Sequence, residues 1–206
     1  MSNIFEAIYE NDMESIRKIL KSNLQAADVK NMYGRYPLYN VVSNSNKDMV
    51  KLVLEANPKA ALIMDYNGWY PLHYAAKSNQ NIEVVELIYK EYPQAAIDNE
   101  CCGTPLHSAV FNKNVEVAKY LYYMNPQAII VKDYCSRIPL HLVEYTNNNI
   151  NPDVKKFLQK ATDGTLVNAA IKIQAAWREC RYNPDYKMCQ KIQIEQLNII
   201  YQNNLL

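Results

Sequence analysis

The sequence predicts an all-α solenoid of about five stacked helix pairs followed by a C-terminal helical extension. Three observations predict it: a proline that recurs every 34 residues, a leucine and a ring residue fixed behind each proline, and a second apolar stripe at one place in every unit. The prolines are Pro37, Pro71, Pro105 and Pro139, and the leucines are Leu38, Leu72, Leu106 and Leu140. Two positions after the prolines stand Tyr39, His73, His107 and His141, and three positions before them Gly34, Gly68, Cys102 and Ser136.

Taken along the chain, the first unit is degenerate. Extending the period backward puts Asn3 in the proline position, so Ile4, Phe5, Ala7 and Ile8 form one short helix and Ile16, Ile19 and Leu20 a second. Residues 1–30 are thus the expected N-terminal cap of a solenoid. In the regular units a proline opens helix A, because its missing N–H would be unsatisfied in the first turn anyway. In the best-formed unit, helix A is expected over Pro71 to Lys77. Helix B follows in three matching blocks, Asn46 to Pro58, Asn81 to Pro93 and Asn114 to Pro126. Asn81 reads as its N-cap, Glu83 supplies an acid to the first turn, and Val84, Val85, Leu87 and Ile88 make an apolar stripe of helical period. Pro93 then closes the helix, and Ala95 to Gly103 is expected as an extended loop with a glycine turn. Gly103 sits two rather than three positions before its proline, so the constant period conceals two compensating one-residue shifts. The fifth unit carries an insertion at Asn147 to Pro152 and ends on Val154, Phe157 and Leu158. The solenoid is assigned to residues 1–162, and a helical cap or tail to 163–206.

Composition restricts the function classes. Roughly half of the 206 residues are apolar, enough for one core and against disorder as the overall state. Lys and Arg number 22 against 21 acids, which leaves no global field for nucleic acid or an anionic membrane. The N-terminal residues lack the basic start and apolar run of a signal peptide, and no apolar stretch is long enough to span a bilayer, so a cytoplasmic location is expected. Five cysteines without a CxxC pair fit reduced thiols.

Asp65-Tyr66-Asn67-Gly68-Trp69-Tyr70-Pro71-Leu72-His73-Tyr74-Ala75 resembles the D-x-x-G-x-T-P-L-H-x-A core of the ankyrin repeat, and Gly103-Thr104-Pro105-Leu106-His107-Ser108-Ala109 is similar to its right half. The resemblance covers about residues 1–160. It implies that the histidine of each unit bonds the neighbouring turn backbone and fixes helix A. It also implies a non-enzymatic protein-binding or scaffold module whose loop tips and exposed side of helix A line a concave face. By position, the variable contact sites are Tyr33 and Arg35, Tyr66 and Trp69, Tyr134 and Arg137 at the tips, with Lys77, Phe111 and Tyr145 on helix A. Eight of these nine are aromatic or arginine, the types that dominate protein-binding hot spots.

No residues gather for catalysis. The three histidines lie one per unit rather than converging, and with 4 glycines a phosphate cradle has nothing to be built from. Cys101 and Cys135 are one period apart at successive tips. Stacked units lie about 10 Å apart, beyond the roughly 7 Å Cα limit of a disulfide. No cofactor or metal is expected.

In the extension, Thr165 to Cys180 reads as a helix with Leu166, Ala170, Ile173 and Trp177 on one side, and Tyr186 to Gln202 as another after Asn183-Pro184. Within the first, Ile173, Gln174, Trp177 and Arg178 fall in a stretch that looks like the opening half of an IQ motif, which implies a calmodulin-like partner; the motif's glycine position is Glu179 here. Two readings stand: the stripe covers the open end of the last repeat, or the chain is a sensor-responsive regulator acting through this helix. The tail Arg181-Tyr182-Asn183-Pro184-Asp185-Tyr186-Lys187, with the composition, also looks like ankyrin proteins of giant amoeba-infecting DNA viruses and some protists, which implies a viral protein in host cytoplasm.

Overall fold

The computed structural model describes residues 3–44, 46–78, 81–98, 103–145 and 152–162. It holds five antiparallel helix pairs in sequence: α1 Ile4–Tyr9 and α2 Met13–Ser22, α3 Pro37–Ser43 and α4 Lys47–Ala56, α5 Pro71–Ser78 and α6 Ile82–Glu91, α7 Pro105–Phe111 and α8 Val115–Met124, α9 Pro139–Tyr145 and α10 Pro152–Thr162. Among the described residues there is no strand. The predicted extension, residues 163–206, lies outside them.

Local chemistry explains the element boundaries. Pro37, Pro71, Pro105 and Pro139 each occupy the first position of their helix, where a proline loses nothing. Asp12, Asn46, Asn81 and Asn114 cap the second helices, their side chains accepting from the backbone N–H of Ser15, Met49, Glu83 and Val117, each cap being worth about 1 kcal/mol. Asn3, in the proline register, is instead the N-cap of α1.

One expectation is corrected. The stretch after helix B does not begin as an extended loop; a 3-10 turn follows each of the first four second helices, at Leu24–Asp28, Pro58–Leu62, Pro93–Ala96 and Pro126–Ile129. The residue ahead of each proline, such as Asn57 at φ −145°, is kept out of the helical region. The proline's own fixed φ then starts the tighter turn. Ala60, Ala61, Ala95, Ala96 and Ala128 are buried beneath it, small enough to let the turn close against the helices.

The core runs unbroken along the stack. Leu38, Leu72 and Leu106 are at most 1 % exposed, each contributing about 2 kcal/mol by burial. Second helices pack through a fixed register. The fourth and eighth residues after each cap are Ile16 and Leu20, Val50 and Leu54, Val85 and Tyr89, Ala118 and Tyr122, all buried or packed on the core. Met49, Val84, Val117 and Val154 are fully buried on the same helices, and Tyr120 and Phe157 are buried as well. Ring contacts join successive second helices: Tyr89 meets Tyr120 edge-on at 6.0 Å, and Tyr122 meets Phe157 at 5.4 Å.

Candidate functional site

In the second, third and fourth units a polar side chain of helix A ties the unit to the next. His73 Nδ1 accepts the Tyr70 N–H (3.2 Å), so Nε2 carries the proton and donates it to the Gly103 carbonyl of the following turn at 2.9 Å. His107 repeats the arrangement, with the Thr104 N–H on Nδ1 and the Arg137 carbonyl 3.0 Å from Nε2. Where the second unit has no histidine, the Tyr39 hydroxyl reaches the carbonyls of Ile63 and Trp69. Burial drives the His73 pKa down to about 4 against the upward pull of its Gly103 bond, and burial also lowers that of His107. These histidines are thus neutral struts, as the resemblance implied. His141 keeps the bond from the Ile138 N–H at 3.3 Å, but its ring is exposed.

The loop tips are built on an acid or amide at the base. Asp65 Oδ1 accepts the N–H groups of Asn67 and Trp69 at 2.9 and 3.0 Å. Asn31 holds Tyr33 and Arg35, and Asp133 holds Cys135 and Arg137, in the same way. Gly34, Gly68 and Ser136 take positive φ at the turn, 74°, 76° and 60°. Asp65 Oδ2 also takes the Arg35 guanidinium at 2.9 Å and the Tyr74 hydroxyl at 2.7 Å. Burial pushes the Asp65 carboxyl up, but these four hydrogen bonds outweigh it and hold it below its ordinary range.

Five of the predicted contact residues come together on this base. Arg35 lies over the rings of Tyr33 (5.2 Å) and Tyr74 (4.7 Å), Trp69 packs on Tyr74 at 5.2 Å, and the Lys77 ammonium sits 5.4 Å above Trp69. The Tyr66 ring covers Gly34 so closely that a Cβ there would lie 2.7 Å from it. Tyr74 joins the cluster although the sequence reading passed over it; an aromatic three positions after the helix-opening proline was the available signal. Arg35 and Arg137 are committed to Asp65 and Asp133, and Trp69 is half-buried. Of the predicted contact rings, those left most open are Tyr66 (76 % exposed), Tyr134 (75 %), Tyr33 (53 %) and Phe111 (52 %). Tyr134 and Arg137 stand on the tip that leads into α9 and Phe111 closes α7, so these three share the row without joining the cluster. The side chain of Tyr145, and Ile173, Gln174, Trp177 and Arg178, lie outside the described residues, as does Cys101.

The model for ankyrin repeats in three copies matches residues 4–100, and that for a single ankyrin repeat matches 103–132. The chain belongs to the ankyrin-repeat family. The matches cover the first four helix pairs, and the structure adds a fifth ankyrin-like pair, α9 and α10, on the same tip architecture. No curated protein matches the chain. Ankyrin repeats are generally protein–protein interaction modules and typically non-enzymatic.

A groove of about 580 Å³ opens at the first unit between Ile4, Ile19, Ala26 and Val29, rimmed by Ser15 and Lys18. It brings no catalytic pair together. Among the described residues, no three His, Cys, Asp or Glu side chains converge on a metal position, and no helix is long and apolar enough to cross a membrane.

Proposed function

We propose that this ankyrin domain binds a protein partner through the face formed by its loop tips and the exposed sides of its first helices, the concave face of the family. Tyr33, Tyr66, Phe111 and Tyr134 are its anchoring rings, Trp69, Lys77 and Tyr145 extend the contact along helix A, and Arg35 and Arg137 hold the tips in shape. The observation that carries this reading is the contrast within one tip: Asp65 is 5 % exposed and fully hydrogen-bonded, while Tyr66 beside it is 76 % exposed. Large rings on a rigid base present apolar area at little conformational cost on binding, which is the chemistry of hot spots.

Affinity capture with the intact chain and with a Tyr66→Ala/Tyr134→Ala variant tests it. Both rings are open, so the variant's melting temperature should stay within about 2 °C of the parent, while proteins held by the parent are lost. Retention of the same proteins by the variant overturns the assignment. Trp69 is the wrong choice for this test, because its contacts with Tyr74 and His73 would mix stability with binding.

A further inference from the structure

The tip face carries its charge unevenly. From Val29 to Ser43 and from Ile63 to Ser78 the chain has three cations, Lys30, Arg35 and Lys77, against a single acid, Asp65. That acid is 5 % exposed and already accepts from two backbone N–H groups, the Arg35 Nε–H and the Tyr74 hydroxyl. Anything that approaches the face therefore meets the cations before it meets the carboxylate. At the last tip, Arg137 brings both Nε and Nη2 to one Asp133 oxygen, at 2.9 and 2.8 Å. Arg35 instead gives Asp65 its Nε–H alone, and among the described residues its two terminal amino groups make no hydrogen bond, although 27 % of the side chain is exposed. The Lys77 ammonium is exposed above Trp69 and pairs with no carboxylate among the described residues.

Tyr33, Arg35, Tyr74, Trp69 and Lys77 form one ladder of ring, cation, ring, ring and cation, with steps of 5.2, 4.7, 5.2 and 5.4 Å. A guanidinium stacked on rings keeps the donors in its plane available for a planar acceptor. We infer that the partner meets this face with an acidic segment, one Asp or Glu carboxylate taking the terminal amino groups of Arg35 and a second lying toward Lys77. The inference rests on the tip-face reading and adds the partner's charge to it. Arg35 and Lys77 less Asp65 leave one positive charge, which suits a carboxylate better than a phosphate dianion. The positive stretch is bounded on both sides. Glu6 is exposed on the first helix of the first unit, and Asp98 ahead of the fourth accepts from Tyr92 and Gln94.

Fluorescence anisotropy with the full-length chain tests it. The probes are a fluorescein-labelled peptide of alternating glutamate and tyrosine and its counterpart with lysine in place of glutamate. The glutamate peptide should bind, more weakly as sodium chloride is raised, and the lysine peptide should not. Lys77→Glu should weaken the glutamate peptide by about tenfold and Lys77→Gln by less. Both variants should melt within about 3 °C of the parent, since only a cation–ring contact is lost. A glutamate peptide that does not bind, or that binds Lys77→Glu as well as the parent, overturns the inference. Displacement by inorganic phosphate beyond that by chloride at equal ionic strength also overturns it, and would make the site one for phosphate. The Tyr66→Ala/Tyr134→Ala variant separates this failure from failure of the tip-face reading. Equal binding of both peptides that is lost in the tyrosine variant overturns the acidic segment and keeps the face. Binding that neither Lys77→Glu nor the tyrosine variant weakens overturns both.

Discussion

His73 makes stability fall with acid in a calculable way. Its Nδ1 faces a backbone N–H and its Nε2 a carbonyl, so a second proton has no acceptor and must break the bond from Tyr70. Burial, with a smaller contribution from the neighbouring His107, brings the folded pKa from 6.5 to about 4 against the upward pull of the Gly103 bond. The unfolded chain therefore takes up the proton first. The stabilising difference is intact above pH 6.5 and is lost progressively as the pH falls through 6.5 toward about 4. The full shift corresponds to about 3 kcal/mol, and the part realised between pH 7 and pH 4.5 to about 2 kcal/mol. Urea unfolding of the parent and of His73→Gln at the two pH values isolates this part, because the remaining titrating groups are common to both proteins. The parent should lose about 2 kcal/mol more than the variant on acidification. Equal losses, or an imidazole resonance of His73 titrating near its ordinary value in the folded protein, would refute the reasoning.

Two further substitutions probe the scaffold. Tyr39→Phe removes the hydroxyl that reaches the Ile63 and Trp69 carbonyls and should lower stability by about 1–3 kcal/mol in urea titration; a neutral result would mean that those carbonyls find other donors. Ser136→Gly relieves a positive φ of 60° at an exposed turn and should raise stability by about 1 kcal/mol. A loss of stability would show that the Ser136 side chain, and not only its backbone, is used at that tip.

The repeat was legible in the sequence because its signals are local. A proline in the first helical turn, an asparagine cap and a leucine behind the proline act within a few residues, and the structure places α3, α5, α7 and α9 on those prolines. The 3-10 turns after Pro58, Pro93 and Pro126 were less legible, because a proline that ends one helix and begins a tighter turn looks the same from either side. The tip face was legible in its composition and not in its division of labour. Arg35 and Tyr66 belong to one residue class for hot spots, yet Arg35 is turned onto Asp65 while Tyr66 stays open. That difference depends on an acid 30 residues away, which no local pattern announces.

The same 30-residue step recurs throughout: Arg35 to Asp65, Tyr39 to Trp69, His73 to Gly103 and His107 to Arg137. Each of these contacts joins one unit to the next and none skips a unit, so the stability they supply is a sum of nearest-neighbour terms. In the tip that leads into α5, the bonds to the preceding unit end on the Asp65 carboxylate, the Ile63 and Trp69 carbonyls and the Tyr66 backbone N–H, and none of them uses the Tyr66 side chain. A substitution at Tyr66 therefore changes what the face presents without unfastening the stack. The converse also follows: any variant that loosens Asp65 frees the base on which Tyr33, Trp69 and Tyr74 are held. Binding through this face then weakens even though every contact ring is still present, because the rings must be ordered again when the partner arrives.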